Sequence, residues 1–319
     1  MNSRRTGRAR LIIGYLAIIA ILPYLLLKAA WIAGSTVGIV SPSPADAAVV
    51  QGGNVVTAAM EIIAIVIILM FTHSWGERIP AWLVLGPTWV ATGLLAPFVI
   101  TGPAVAASAL GGAFVAGDGS LAAWVGPLVY LGFGAQAIGI SASFVLYALH
   151  RWPQAFQGRL SDHHPGPDQS VLVLFACLAA VPLVAVAVVR ASWAVGSTLG
   201  LSPYLAESRG VAERLSDAGT ALFSLVAVAG MLALVLHRPG RTRTWIPIAI
   251  AWVGAGAVFG SGLYSLILLL AATAGTGVGT TQTGLVPFAD LVQVMVGTVI
   301  AVIGSLALHR LNARSTDSR

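Results

Sequence analysis

Four charged side chains lie within runs of apolar residues, where an ionised group is costly and is therefore a candidate for function. They are Lys28, Glu61, Arg190 and Asp290. At about 1.5 Å of rise per helical residue, Lys28 would lie near the far end of the helix that begins at Leu11. Glu61 would lie about two turns into the next helix from the same membrane surface. The two could pair there, which favours an outward-facing polar pocket or a proton-linked site.

Each of these residues also has a purely structural interpretation. Lys28 and Arg190 could extend along their apolar stems to the outer lipid headgroups. Asp290 follows Pro287 at the start of the last apolar run, where an acidic residue suits a helix N-terminus. The Glu61 side chain is too short to reach the membrane surface easily, so a structural interpretation is weakest for this residue.

Small and polar residues recur at helical spacing in three later runs. The stripes are Gly132, Gln136, Gly139 and Ser143; Gly256, Gly260 and Tyr264; and Asp290, Gln293, Gly297, Ala301 and Gly304. Stripes of this kind are typical of closely packed membrane helices. The alternative is that Gln136, Gln293, Ser141 and Tyr264 line a central cavity. Lys28, Glu61, Arg190, Asp290, Gln136 and Gln293 form the candidate ligand-binding set.

The composition places all of these residues in a membrane. The chain has 319 residues, of which 57% are hydrophobic and only 9% are charged, and its mean hydropathy is +0.90. A soluble domain carries roughly a quarter charged residues, and a disordered chain is far less apolar. Cys177 is the only cysteine and lies in an apolar run, where we expect it to be buried. An internal disulfide, a Cys-based zinc site and an iron–sulfur site are therefore excluded.

Eight apolar runs are long enough to cross a bilayer as helices. They are Leu11–Ile32, Val55–Thr72, Ala81–Ile100, Trp124–Leu149, Ser170–Val189, Ala218–Leu236, Trp245–Ala271 and Phe288–Leu308. Since they do not alternate with period two, we predict an all-α integral membrane protein rather than a β-barrel. The loops Thr101–Ala123 and Ala272–Val286 are apolar enough to dip back into the membrane from the outer side.

The basic residues predict the orientation. Most of the 17 lie in the termini and in alternate loops, which become cytoplasmic if the N-terminus is inside. The exceptions are Lys28, Arg190, Arg209 and Arg214. We therefore expect a multi-pass protein of the inner (plasma) membrane with both termini cytoplasmic. Its net charge of +6 is explained by this topology, so no nucleic-acid partner is predicted. Tryptophans, among them Trp193, are expected at both membrane interfaces.

The two halves of the sequence resemble each other. The stretch from Lys28 to Ile39 matches the stretch from Arg190 to Leu201, including the Trp, Gly-Ser-Thr and second Gly positions. Three further matches follow in nearly the same register: Trp82, Trp89 and Gly93 with Trp245, Trp252 and Gly256; Pro127 with Pro287; and His150-Arg151 with His309-Arg310. We predict two parallel four-helix repeats, residues 1–152 and 170–319, joined by a cytoplasmic linker at 153–169.

The stretch Pro23-Tyr24…Lys28…Trp31…Gly34-Ser35-Thr36…Gly38 resembles one found in uncharacterised polytopic membrane proteins of actinobacteria. A single lysine among 17 basic residues is also typical of a high-GC genome. The resemblance covers one short motif per repeat, carries no known activity, and implies only lineage and topology.

Soluble catalytic signatures are missing: the sequence has no Walker loop with its lysine, no HExxH and no GxSxG. His73, His150, His237 and His309 end the even-numbered predicted spans, an arrangement reminiscent of haem A synthase. Here, however, they lie at the cytoplasmic ends. We expect no haem or other cofactor, no metal site and no catalytic residues.

The Gly34-Ser-Thr-Val-Gly38 stretch has the wrong context for a potassium filter. It favours a helix end whose glycines allow a tight reversal, with an amide nest for an anion as the alternative.

Three functions remain open. The leading hypothesis is a transporter or permease-like subunit for a small or lipophilic solute. The second is a membrane-embedded enzyme that modifies a lipid or isoprenoid, with Glu61 and Asp290 as acid and base. The third is a structural or sensory subunit that packs against a partner or a second copy through its small-residue stripes.

Overall fold

The computed structural model describes residues 3–40, 47–111, 120–162, 169–273 and 284–317. Over these residues the chain is helical, which confirms the predicted all-α class. The helices are α1 (Ser3–Ile32), α2 (Ala47–Thr72), α3 (Ala81–Leu110), α4 (Val125–Arg151), α5 (Gln169–Ala194), α6 (Pro203–Ser208), α7 (Val211–Leu236), α8 (Trp245–Thr273) and α9 (Leu285–Asp317). Below, α1 to α4 are called the first half and α5 to α9 the second half.

All of these helices except the short α6 are long and apolar enough to cross a membrane. Large apolar side chains stay exposed along them, such as Leu26 on α1 and Val181 on α5. In water such a surface would be unfavourable, whereas lipid tails satisfy it. The protein is therefore a multi-pass membrane protein in a lipid bilayer.

Several details differ from the sequence prediction. Helix α3 continues to Leu110, through the first part of the predicted outer loop. Residues 112–119 of that loop and residues 274–283 of its counterpart before α9 lie outside the described residues. The unpredicted helix α6 is capped by Ser202, whose side chain accepts a hydrogen bond from the Leu205 amide. Cys177 is exposed on α5 rather than buried, and Trp193 is fully buried rather than interfacial.

The two Gly-Ser-Thr stretches end α1 and α5 in the same way. Gly34 and Gly196 have φ values of +86° and +101°, which favour glycine. The Gly34 amide donates to the Trp31 carbonyl and the Ser35 amide to the Ala30 carbonyl; Gly196 and Ser197 make the equivalent bonds. This is the Schellman pattern of a helix C-terminus, as the sequence predicted. We call this end of the bundle the turn end, and the opposite end, where α1 begins, the termini end.

Both turns are then tied to the start of a later helix. Ile39 forms an antiparallel bridge with Leu121, just before α4, and Leu201 forms one with Gly284, just before α9. A Cβ at Gly38 would overlap Trp124 and Val125, and one at Gly200 would overlap Leu285. Each half thus fixes its first and last long helices together at the turn end.

At the termini end, arginine side chains hold the helices together. The sequence alone assigns these arginines only a role in membrane orientation. Arg10 is 7% exposed and donates to the Phe71 carbonyl near the end of α2, as well as to Glu77. Arg151 donates to the carbonyls of Gly76 and Ile79 in the turn between α2 and α3. The Phe71 carbonyl lies in the last turn of α2, where helix geometry leaves carbonyls without an amide partner, and the Gly76 carbonyl also accepts from the Tyr147 hydroxyl.

The two halves meet mainly where α3 packs against α8. A Cβ on Gly93 would lie 2.0 Å from the Gly256 carbonyl oxygen, so the backbones are in direct contact. Beside them the Trp89 indole donates to the Trp252 carbonyl and stacks on Phe259. The small residues of α8 therefore pack inside the chain, as membrane-helix stripes commonly do.

This contact predicts that Gly93→Ala destabilises the protein. The added methyl group would force α3 and α8 apart, and overpacking of this kind costs about 1–3 kcal/mol. Gly86→Ala, on the same helix, is the matched control because a Cβ there meets nothing within 4 Å. Thermal unfolding in detergent should show a lower Tm for Gly93→Ala alone. An unchanged Tm would contradict the close α3–α8 contact.

Candidate functional site

A network of ion pairs joins three helices of the second half. Arg190, near the end of α5, donates to Asp217 on α7 over 2.9 Å and to Asp290 on α9. Asp217 and Asp290 are each only 2% exposed. Helix α5 ends at the turn end, and α7 and α9 both begin there. The side chains of Arg190, Asp217 and Asp290 therefore lie at one depth. That depth is roughly 6–9 Å below the helix ends at the turn end.

Arg209, in the connection between α6 and α7, completes the network. It forms an ion pair with Asp217, and its guanidinium lies over the Trp193 ring, as that of Arg190 does. Burial, reinforced by the nearby positive charge of Arg190, lowers the pKa of Arg209 from its ordinary value. Two arginines thus face two aspartates, so the network has no formal net charge.

Asp290 is further held by neutral groups. The Ser265 hydroxyl donates to it over 2.5 Å, and the Gln293 amide donates over 3.2 Å. Gln293 is fully buried and also accepts from Ser261 on α8. We call Arg190, Arg209, Asp217, Asp290 and Gln293 the second-half network.

Lys28, the first-half counterpart of Arg190, forms no ion pair with a carboxylate in the described residues. Lys28 is 9% exposed, and its ammonium group donates to the Asn54 side-chain oxygen over 2.8 Å. It lies 4.9 Å from the centre of the Tyr24 ring and 4.8 Å from that of Trp31. An amide oxygen and two aromatic faces therefore stabilise the charge.

Glu61 lies deeper, towards the middle of α2. It is 4% exposed, and its carboxylate accepts a hydrogen bond of 2.8 Å from Gln136 on α4. Lys28 is close enough to attract it electrostatically, but among the described residues no ion pair within 4.0 Å joins them. We call Lys28, Asn54, Glu61 and Gln136 the first-half cluster.

The structure therefore divides the six candidate residues between two places. Lys28, Glu61 and Gln136 gather in the first half, and Arg190, Asp290 and Gln293 in the second. Both basic side chains are buried against other helices instead of extending from the bundle surface, and Asp290 binds a guanidinium instead of acting only as a cap. Gln136 and Gln293 each bond within their own half, while Tyr264 is 44% exposed. These contacts do not support the alternative of one central cavity lined by these residues.

The sequence prediction missed Asn54 and Asp217, although a signal for them was present. Asn54 accepts a hydrogen bond from Lys28, 26 residues earlier on the preceding long helix. Asp217 accepts one from Arg190, 27 residues earlier on the preceding long helix. Seven residues further on, the first half has Glu61 and the second half has Ser224. The register that matches Trp82 with Trp245, one residue longer than that of the two cations, would have paired Asn54 with Asp217 and Glu61 with Ser224.

Two other sequence motifs take structural roles. The Gly34 and Ser35 amides point at carbonyls of α1, and Ser35 accepts from the Val37 amide, which argues against an anion nest here. Of the histidines, His150 approaches Glu77 to 3.5 Å and His237 caps α7 with a φ of +52°. His73 contacts Thr72 and the Tyr15 ring.

The comparisons with known proteins give no match: no family model, no curated protein and no solved structure resembles the chain significantly. The functional argument therefore rests on the geometry of the two halves.

The second-half network predicts a large cost for removing its central cation. Arg190→Met would leave Asp290 buried without a positive partner, and breaking a buried pair in this way costs about 3–5 kcal/mol. Asp290→Asn in the same chain should recover part of that loss. Unfolding free energies of the two single variants and the double variant would measure the coupling.

Lys28→Met is the matched control for this experiment, because it removes a buried cation that contacts an amide instead of a carboxylate. We expect it to cost less than Arg190→Met. Strictly additive effects of Arg190→Met and Asp290→Asn would mean that the ion pair contributes nothing to stability.

Proposed function

We propose that the protein is a transporter or permease-like subunit for a small or lipophilic solute, with the first-half cluster as its working site. The observation that carries this proposal is the difference between the two clusters. In the second half, arginines and aspartates neutralise each other directly. In the first half, Lys28 and Glu61 are buried at different depths; Lys28 contacts an amide and two aromatic rings, Glu61 contacts an amide, and in the described residues neither forms an ion pair. Ionisable groups left in this way within a membrane are typical of solute and ion pathways.

The proposal includes a duplicated architecture. Residues 1–152 and 170–319 would be two parallel repeats, joined by the linker 153–169. The matched turns after α1 and α5 and the matched bridges to Leu121 and Gly284 support it. So do the indoles of Trp31 and Trp193, which donate to the carbonyls of Val37 and Leu199. In such a pair of repeats one copy could keep a rigid ion-pair network while the other carried the solute site.

The two rival functions have less support from the contacts. An enzyme that used Asp290 as an acid or base would have to release it from Arg190 and Ser265. A scaffold that docked through the α8 glycines would find them covered, since Gly256 contacts Trp89 and Gly260 contacts Leu94. A second copy or a partner subunit could still bind the exposed apolar faces of the bundle.

Charge-removing variants of the first-half cluster test this function. Solutes would first be selected by their ability to raise the Tm of the wild-type protein, and then assayed for uptake into proteoliposomes. Glu61→Gln and Lys28→Ala should each lower uptake at least tenfold, because each removes a buried charge that has no substitute nearby. If both variants transport like the wild type, the site assignment is wrong.

Two substitutions serve as controls for that assay. Glu77→Gln makes the same chemical change at the termini end, where the carboxylate is partly exposed, and should leave uptake unchanged. Lys28→Arg keeps the charge and should retain more uptake than Lys28→Ala. Equal losses in all variants would indicate a general folding defect instead of a local site.

We further propose that the chain lies in the plasma membrane with both termini in the cytoplasm, so that the turn end faces outward. In a Cys177→Ser background, Thr36→Cys and Thr198→Cys should react with a membrane-impermeant maleimide in intact cells, since both positions are exposed. Gln157→Cys, in the exposed connection after α4, should react only after permeabilisation. The reverse pattern would invert the topology.

A further inference from the structure

A continuous set of polar side chains leads from the turn end to Glu61. Lys28 and Asn54 are bonded near the helix ends, and Glu61 lies two turns below Asn54 on the same face of α2. Tyr24, one turn below Lys28 on α1, lies between the depth of Lys28 and that of Glu61. The Thr57 side chain lies beside its hydroxyl, and Glu61 lies within its electrostatic range. Polar groups therefore follow one another along the α1–α2 contact to near the middle of the membrane.

Below Glu61 the same interface becomes apolar. Towards the termini end, α1, α2 and α4 contribute side chains that are at most 7% exposed: Ala17, Ile21, Ala64, Ile68 and Ile140. Helices α1 and α4 also approach closely there, since a Cβ on Gly139 would lie 2.5 Å from that of Ala17. The buried Ser143 hydroxyl, two turns below Gln136 on α4, is a neutral polar group at this depth, and the rest of the named layer is hydrocarbon. Glu61 thus has polar and charged neighbours on the side of the turn end and a mainly apolar, closely packed layer on the other side.

The charged and titratable groups near Glu61, among the described residues, can be named helix by helix. Helix α1 contributes Lys28 and Tyr24, and α4 contributes the neutral amide of Gln136. Tyr264 of α8 lies within electrostatic range of Tyr24. In the described part of the chain no guanidinium contacts the Glu61 carboxylate, whereas Arg190 and Arg209 form ion pairs with the aspartates of the second half.

We propose that Glu61 is a proton-binding site open to the turn end and closed to the termini end, so that a proton is the ion coupled to transport. The coupling of the proton to transport rests on the proposed function, whereas the proton-binding site itself does not. In the loading step a hydronium ion transfers its proton to a Glu61 carboxylate oxygen, leaving water and a neutral carboxylic acid. Release to water reverses the same step.

Labelling of the wild-type chain with dicyclohexylcarbodiimide tests the proton site without requiring a variant to fold. This apolar reagent adds to protonated carboxyl groups in apolar surroundings and leaves a stable adduct that peptide mass spectrometry locates. We expect an adduct on Glu61 that is lost almost completely between mildly acidic and mildly alkaline pH. Asp217 and Asp290, held by arginines, are internal controls and should stay unlabelled. An unlabelled Glu61, or equal labelling of Asp290, would overturn the proposal.

Two further arms separate the site from the intrinsic pH dependence of the reagent and test the direction of access. At a fixed pH, Lys28→Met should increase labelling of Glu61 severalfold, because the attractive positive charge is gone, and Lys28→Arg should not. In sealed vesicles whose orientation the cysteine variants have established, labelling should follow the pH on the turn-end side. Labelling that follows the opposite side would contradict the proposed access.

The outcomes also distinguish this inference from the proposed function. Proton-dependent labelling of Glu61 without uptake of any solute would support the proton-binding site and contradict the transporter function. Solute uptake that requires Glu61 but does not depend on a pH gradient, together with an unlabelled Glu61, would support the transporter function and contradict proton coupling.

Discussion

The structure depends on one constraint: a charge that has been placed in an apolar medium must find a partner. The second half meets it with the ion pairs of Arg190, which tie α5 to α7 and α9 at one depth. Ser265 and Gln293 add hydrogen bonds, so that Asp290 keeps few unused acceptor positions. Removing water around these groups strengthens their attraction, and the same loss of water makes any unpaired group expensive.

The first half meets the same constraint in a weaker way. An amide oxygen and two aromatic rings surround Lys28, and an amide donor approaches Glu61. Such neutral partners stabilise a charge less than an opposite charge does, and the proton exchange proposed for Glu61 rests on this difference. Two halves with matched turns and bridges at the turn end thus carry different sets of buried charges. This difference is the basis for the structural role proposed for the second-half network and the working role proposed for the first-half cluster.

Much of the fold could be predicted from the sequence, because lipid leaves a chain few choices. Eight apolar runs must form helices, and the glycine after Trp31 or Trp193 predicts a reversal. What the sequence could not supply was the partner of each buried charge. Lys28 and Glu61 looked able to pair by depth alone, yet Lys28 turns to Asn54 and Glu61 turns to Gln136. Asn54 and Glu61 share one face of α2, so the start of that helix decides the choice: α2 begins at Ala47 instead of Val55, which places Asn54 level with Lys28 and Glu61 two turns deeper. The exposure of Cys177 and the burial of Trp193 depend on the rotation of α5 about its own axis, which tertiary packing sets.

The central claim, that Glu61 is the buried carboxyl group that exchanges a proton, is tested most directly by infrared difference spectroscopy of the protein in lipid at acidic and alkaline pH. A protonated buried carboxylic acid gives a carbonyl band that is separate from the amide bands and shifts in deuterium oxide. If Glu61 exchanges this proton, the band appears at acidic pH in the wild type and in Glu77→Gln, and is absent in Glu61→Gln. A band that persists unchanged in Glu61→Gln, or a wild type without the band at any pH, would contradict it.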